Sequence, residues 1–240
     1  MARQHSFDGD CEVSVLGSFG FWVGGKPRRG LPRGSQRLLA FLALREHPQT
    51  RDAIAGTLWP EASEEHAHAS LRSALSRLSG IARTLVRATS QELQLADGVF
   101  VDMRDARMLA HRLLNSGTTL DADLSDRAIS TLSLDLLPDW YDDWAVAEAE
   151  DWRQLRLHAL DALSEKLTDA GRFGDATSAA LAAVKAEPLR ETAHAALIRV
   201  YLAEGNRSEA RTAFEQYSEM LRDELGLEPT PQIKGLIEGL

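Results

Sequence analysis

The stretch from Ser63 to Leu78 constrains the fold of this 240-residue chain more than any other, because its apolar residues recur at helical spacing. We predict a helix that begins at the capping hydroxyl of Ser63 and ends at Gly80. One side of this helix requires a hydrophobic core, and the other requires polar surroundings. The apolar stripe consists of Ala67, Leu71, Ala74, Leu75 and Leu78.

The outer face of this helix carries short hydroxyls and arginine instead of the Glu and Lys pairs that are typical of a solvated helix surface. Serine allows close approach, and arginine forms bidentate bonds with guanine edges or phosphates, so the face suits a helix in the DNA major groove. An amphipathic helix with nothing bound is the alternative. The candidate DNA-binding residues on this face are His66, Ser70, Arg72, Ser73, Ser76 and Arg77.

The charge of the chain is divided unevenly along its length. The whole chain has a net charge of -9, which argues against a general binder of polyanions. Residues 13–91, however, contain eleven basic and five acidic side chains, a net charge of +6, whereas residues 103–240 contain fifteen and twenty-five, a net charge of -10. This asymmetry indicates that only the first part contacts nucleic acid.

The composition limits the class of protein. A hydrophobic content of 44% supports a proper core. The single cysteine, Cys11, excludes an intramolecular disulfide and a metal site built on cysteines. Because the apolar runs are too short to span a membrane and the N-terminus has no apolar signal-like segment, we expect a cytoplasmic protein.

The residues around the Ser63–Leu78 helix predict a small opening sheet, three helices and a hairpin. The hairpin after the third helix would form a wing. The segments are strands Glu12–Leu16 and Phe19–Val23, helices Ser35–Glu46 and Arg51–Leu58, and hairpin strands Leu85–Ala88 and Leu93–Leu95. We predict that Ser35 caps the first helix, that Thr50 starts the second, and that Asp102 caps the helix after the hairpin. Further candidates for contacts with DNA are Arg37, beside the basic Lys26–Ser35 loop, together with Arg51, Arg87 and Thr89, although a lone exposed arginine is more often idle.

Residues 38–80 resemble the OmpR-type winged helix of the Streptomyces antibiotic regulatory proteins. Leu58-Trp59-Pro60 and the run Ser70–Leu78 carry the resemblance. It implies that the third helix enters the major groove, that the promoter sites are direct repeats overlapping the minus 35 region, and that a dimer forms on DNA. It also implies contacts with RNA polymerase, including its sigma subunit. We expect Trp59, Glu61 and Glu64, in the loop before that helix, to face the polymerase.

The C-terminal half is nearly all helix and repeats itself at an offset of 34 residues, with Gly171 matching Gly205 and Ala176 matching Ala210. This period is tetratricopeptide-like. The last helix should be about two turns longer than in the first unit. The stretch resembles the bacterial transcriptional activator domain, which follows the winged helix in the same regulators. Larger relatives add an ATPase module, so we expect the short form of the family.

These patterns predict a mainly α protein with a small β component. A winged-helix domain spans residues 1–102, and an all-α, tetratricopeptide-like domain spans 103–240. An aromatic patch consists of Trp140, Tyr141, Trp144 and Trp152. A cage for a cationic ligand is conceivable there, but tryptophans that lead into a long helix are more often packing residues.

No pattern of catalytic or cofactor-binding residues stands out. His66 and His68 lie about 200° apart on a helix, so they cannot chelate one metal ion. Gly20, Gly25 and Lys26 match the spacing of a phosphate-binding loop, but Pro27 replaces the required Ser or Thr. We therefore expect neither an enzyme nor a cofactor.

The predicted function is a sequence-specific transcriptional activator. The resemblance implies a secondary-metabolite (antibiotic) gene cluster as its target. The alternative is a tetratricopeptide-type scaffold or adaptor whose winged helix binds protein instead of DNA.

Overall fold

The computed structural model describes residues 11–78, 84–115 and 117–239. The chain divides into two compact units. Unit 1 comprises the residues up to Asp105 together with Asp135–Asp151, and unit 2 comprises Ala106–Leu134 together with Trp152–Leu240. The predicted helix end at Gly80 lies outside the described residues.

Unit 1 opens with a four-stranded sheet in the order β3-β2-β1-β7. Its strands are β1 (Cys11–Ser14), β2 (Gly20–Val23), β3 (Lys26–Pro27) and β7 (Phe100–Val101). Val13 pairs with Phe21 in the antiparallel neighbour and with Val101 in the parallel one, and all three side chains are buried. The two predicted strands are thus confirmed, whereas β3 and β7, of two residues each, were too short to predict.

Three helices follow: α1 (Arg33–Ala43), α2 (Arg51–Leu58) and α3 (Glu64–Ser76). The predicted caps of α2 and α3 are confirmed, because the side chain of Thr50 accepts from the amide of Ala53 and that of Ser63 from the amide of His66. The predicted cap of α1 is wrong. That helix begins after Pro32, and Ser35 is buried within it, where its hydroxyl donates to the carbonyl of Ala74 at 2.8 Å.

The predicted wing is also confirmed. Strands β5 (Val86–Ala88) and β6 (Glu92–Leu95) form an antiparallel hairpin, and β4 (Gln49–Thr50) adds a third strand beside β6. An opening sheet, three helices and a hairpin form a winged helix-turn-helix.

Helix α4 (Asp102–Leu114) begins at a carboxylate that also holds β1. The carboxylate of Asp102 accepts the amides of Val15 at 2.9 Å and Leu16 at 3.1 Å, and the hydroxyl of Ser14. Burial raises the pKa of Asp102, and these hydrogen bonds act in the opposite direction. We predicted only a local helix cap at this position, and the contacts with β1 were missed.

Residues 135–151 also belong to unit 1. Leu16 forms a bridge with Leu136, and the amide of Gly17 donates to the carbonyl of Asp135 at 2.7 Å. Trp140 and Trp144 are buried, which confirms their predicted packing role. The neighbouring Tyr141 is 84% exposed and does not share this packing.

The remaining helices of the described chain confirm the repeated pattern. They are α5 (Asp126–Leu132), α6 (Asp143–Asp169), α7 (Phe173–Ala186), α8 (Glu191–Glu204), α9 (Arg207–Leu225) and α10 (Pro231–Ile237). Helix α8 packs against both α7 and α9. Gly205 ends α8 in the left-handed conformation. Helix α9 has 19 residues against 14 in α7, so it is longer as predicted, but by about 1.4 turns instead of two. None of the described helices is long and apolar enough to cross a membrane.

We predict that Asp102→Ala lowers the stability of unit 1 by about 1 to 3 kcal/mol, because it leaves the amides of Val15 and Leu16 without an acceptor. Urea unfolding followed by fluorescence measures the loss. The matched control is Asp139→Ala, which removes an exposed aspartate of the same unit. Equal stability of the two variants would show that the Asp102 contacts contribute nothing.

Candidate nucleic-acid interface

Helix α3 is flanked by two grooves within unit 1. The first, which we call the wing groove, has a volume of about 280 Å³ and is lined by Arg51, Arg72, Leu75, Ser76, Val86 and Ala88, among others. The second, the α1 groove, has a volume of about 190 Å³ and is lined by Pro32, Gly34, Trp59, Ser70, Ser73 and Arg77, among others. Both grooves combine polar groups from α3 with walls supplied by neighbouring elements.

The predicted outer face of α3 lies at the surface. His66, Arg72, Ser76 and Arg77 are exposed, and Ser70 and Ser73 are half-buried in the α1 groove. Two of these polar groups are already bonded within the helix. The hydroxyl of Ser76 donates to the carbonyl of Ser73 at 2.9 Å, and Nδ1 of His66 lies 2.6 Å from the hydroxyl of Ser63.

Arg72 and Arg77 are different, because neither guanidinium forms an ion pair or side-chain hydrogen bond within the part of the chain that the structure describes. They lie five residues apart, which places them about 140° apart around the helix. Arg72 therefore lines the wing groove and Arg77 lines the α1 groove. The exposed face of α3 presents one available cation on each side.

Arg51 and Thr89 hold the wing in place. Nε and Nη2 of Arg51 donate to the carbonyl of Thr89 at 3.1 and 2.9 Å, and the amide of Arg51 donates to the carbonyl of Gln91. The hydroxyl of Thr89 accepts the amides of Gln91 and Glu92, which fixes the turn of the hairpin. These two predicted DNA contacts thus have a structural role in unit 1.

The other two predicted arginine contacts are ion-paired. Arg87, on the wing, pairs with Asp97 at 2.6 Å, and both side chains are largely exposed, at 62% and 79%. Arg37, on α1, pairs with Asp142, and its side chain is only 18% exposed. The structure therefore keeps Arg87 on the surface and places Arg37 inside a network of unit 1.

The loop before α3 presents acidic side chains. Glu61 and Glu64 are exposed, and Glu64 occupies the first turn of α3, where a carboxylate is favourable near the positive end of the helix dipole. Trp59 is half-buried and forms part of the α1 groove. The amide of Ala62 donates to the carbonyl of Trp59 at 3.1 Å, so the loop is a compact turn.

Sequence reasoning missed several residues that shape this site. Gly34 and Pro32 line the α1 groove, and the carboxylates of Asp97 and Asp142 hold two of the arginines. A glycine at the start of α1 was an available signal for close helix packing. The two carboxylates gave no signal, because nothing in a single sequence indicates which distant arginine they contact. Within the described residues, no cluster of three or more His, Cys, Asp or Glu side chains is arranged to hold a metal ion.

Comparisons with known proteins agree with this architecture. The bacterial transcriptional activator domain family matches residues 101–240. The regulatory protein AfsR of Streptomyces coelicolor is 27% identical over 237 residues, which cover 95% of this chain and 24% of AfsR. The chain thus spans about a quarter of the length of that relative.

A solved structure of Mycobacterium tuberculosis EmbR, in complex with a low affinity phosphopeptide, has the same fold. The TM-score is 0.67 at 22% sequence identity, with 96% of this chain and 65% of that chain covered.

A winged helix-turn-helix followed by tetratricopeptide-like helices is the architecture that this chain shares with EmbR. This chain belongs to the bacterial transcriptional activator domain family, and its similarity to AfsR agrees with the resemblance to the Streptomyces antibiotic regulatory proteins. The family resemblance and the fold class predicted from the sequence are confirmed.

We predict that Arg51→Ala loosens the wing, because the carbonyl of Thr89 loses both guanidinium donors. Hydrogen exchange at the amides of Thr89 and Glu92 should become roughly several-fold faster, because the loss of one stabilising contact makes local opening of the hairpin more frequent. Arg87→Ala, which removes an exposed ion pair of the same hairpin, is the control and should leave these amides protected. Unchanged exchange in Arg51→Ala would contradict the structural role of Arg51.

Proposed function

We propose that the protein is a cytoplasmic, sequence-specific DNA-binding transcriptional activator and that α3 is its recognition helix. The observation that carries this proposal is the pair of available guanidinium groups, Arg72 and Arg77, on the exposed face of α3. Arg37 and Arg87, by contrast, are already paired with the carboxylates of Asp142 and Asp97.

The dimensions of α3 and its side chains fit this role. A helix with its side chains is about 10 to 12 Å across, and the major groove is about 12 Å wide. Arg72 and Arg77, on opposite sides of the exposed face, can reach base edges or the phosphates along either wall of the groove. Ser73 and Ser76 lie between them, and their short side chains permit the close approach that base reading requires.

The acidic loop before α3 is the proposed contact with RNA polymerase. Glu61 and Glu64 are exposed and would repel phosphates, so they suit a partner with a basic surface. RNA polymerase, including its sigma subunit, is the partner that the family suggests. An exposed ion pair contributes only about 0 to 1 kcal/mol, so several such contacts, together with Trp59, must act at once.

The arrangement on the promoter follows from the family. We propose direct-repeat sites overlapping the minus 35 region, with two copies of the protein bound side by side, upstream of genes for a secondary metabolite such as an antibiotic. Footprinting and gel shifts on the upstream DNA of neighbouring genes test this directly. If the protein bound none of this DNA but captured protein partners through the winged helix, the adaptor function would replace the proposal.

We predict that Arg72→Ala and Arg77→Ala each weaken operator binding by about 1 to 3 kcal/mol and relax specificity locally where the arginine reads a base. Fluorescence anisotropy at fixed salt measures both effects on operator and non-operator DNA. Arg199→Ala, an exposed arginine of unit 2, is the control. If both variants bind operator like the native protein, the outer face of α3 is solvated surface and the proposal is wrong.

We predict that the double variant Glu61→Lys with Glu64→Lys keeps operator binding, or improves it slightly through added positive charge, while in vitro transcription falls toward the basal level. A lysine at position 64 opposes the helix dipole by about 0.3 to 1 kcal/mol, so thermal unfolding accompanies the assay. Glu165→Lys with Glu219→Lys makes the same charge change on exposed positions of unit 2. Equal losses of binding and transcription would contradict the assignment of this loop to the polymerase.

A further inference from the structure

Arg37 joins three segments of unit 1 that are far apart in the sequence. Its Nη2 donates to the carbonyl of Leu58 at 2.5 Å and forms an ion pair with the carboxylate of Asp142. Its guanidinium also lies 5.8 Å from the centre of the Trp59 ring. Helix α1, the end of α2 and residue 142 therefore meet at one side chain.

The contact with Leu58 stabilises the end of a short helix. Helix α2 has eight residues and ends at Trp59, whose backbone is not helical (φ -135°, ψ 60°). The last carbonyls of a helix have no partner within the helix, and they form the negative end of its dipole. The Arg37 guanidinium supplies both a donor and a positive charge at this end.

Asp142 keeps the guanidinium in that position. The side chains of Arg37 and Asp142 are only 18% and 17% exposed. A guanidinium charge that is so little exposed raises the free energy of the folded protein when its counter-ion is missing. Removal of the Asp142 carboxylate would therefore drive Arg37 toward solvent and away from Leu58.

The position of Asp142 is fixed independently of Arg37. Its backbone carbonyl accepts the amides of Ala145 at 2.8 Å and Val146 at 3.0 Å at the start of α6. Its second carboxylate oxygen lies 3.7 Å from Nη2 of Arg33, whose guanidinium stacks 4.0 Å from the centre of the Trp140 ring. Asp142 is therefore a rigid anchor against which Arg37 is held.

We propose that Asp142 is a positioning residue for the loop Trp59–Ser63. Through Arg37 it fixes the end of α2 and the Trp59 wall of the α1 groove, which also contains Ser73 and Arg77. A residue of the segment that matches the activator-domain family thus sets the geometry of the loop beside the recognition helix. The consequence for transcription rests on the proposed function, whereas the positioning itself does not.

The test uses the full chain with Asp142→Asn, which keeps the shape of the side chain and removes its charge. Hydrogen exchange without DNA should show the amides of Trp59 and Ala62 exchanging about 5- to 10-fold faster. Asp142→Glu should restore part of the protection. Asp143→Asn, at the exposed neighbouring residue, should leave these amides unchanged.

The same variants are then assayed on operator DNA. We expect Asp142→Asn to bind operator within about two-fold of the native protein and to lose most of its transcriptional activation. Unchanged exchange at Trp59 and Ala62 would overturn the positioning role whatever the transcription assay shows. Faster exchange with full transcription would support that role and would instead contradict the proposed contact between this loop and the polymerase.

A second variant tests the proposal in case the Asp142→Asn protein does not fold. Arg37→Lys keeps the charge opposite Asp142. Its ammonium lies one bond closer to the backbone than Nη2, the nitrogen that contacts both Leu58 and Asp142, and it lacks the planar group that lies against Trp59. We expect it to expose the amides of Trp59 and Ala62 while the protein remains folded by thermal unfolding. Full protection of these amides in the folded Arg37→Lys protein would overturn the proposal.

Discussion

The contact between α1 and α3 determines which side chains α3 can present. The hydroxyl of Ser35 is fully buried and donates to the carbonyl of Ala74, and a Cβ atom at Gly34 would lie 3.8 Å from that of Ala74. Small residues on both helices therefore bring the two backbones close together. Because Ala74 faces α1, the rotation of α3 about its own axis is fixed. This rotation places Arg72 and Arg77 on opposite sides of the exposed face of α3. A bulkier side chain at this contact would turn or lift the helix that we propose reads DNA.

The charge of unit 1 shows how a correct count can mislead. Residues 13–91 have a net charge of +6, which predicted a basic DNA-binding domain. The structure adds residues 135–151 to this unit, and they contain seven acidic side chains and no basic one. Unit 1 as a whole is therefore not basic. The segment supplies the partners of Arg37 and Arg45, namely Asp142 and Glu148, so part of the basic count is neutralised internally.

Features encoded by neighbouring residues could be predicted from the sequence. The caps at Thr50 and Ser63, the wing hairpin and the repeated helices all depend on contacts within a few residues or on a regular period, and the structure confirms them. Ser35 was misassigned because its hydroxyl bonds a residue 39 positions away, and the contact of Asp102 with Val15 spans 87 positions. Such pairs leave no pattern in a single sequence, since any of several carboxylates could hold a given arginine or amide.

Burial decides which arginines remain available to DNA. The pair between Arg87 and Asp97 is largely exposed, so it contributes only about 0 to 1 kcal/mol, and a phosphate can replace Asp97 at little cost. The pair between Arg37 and Asp142 is mostly shielded from water, and breaking it would leave an uncompensated charge, which costs several times more. In the complex with DNA that we propose, Arg87 of the wing can therefore join the available Arg72 and Arg77, but Arg37 cannot. Solvent exposure therefore separates two kinds of arginine in the winged helix. Shielded arginines keep their carboxylate partner and have a structural role, whereas exposed arginines can exchange a carboxylate for a phosphate.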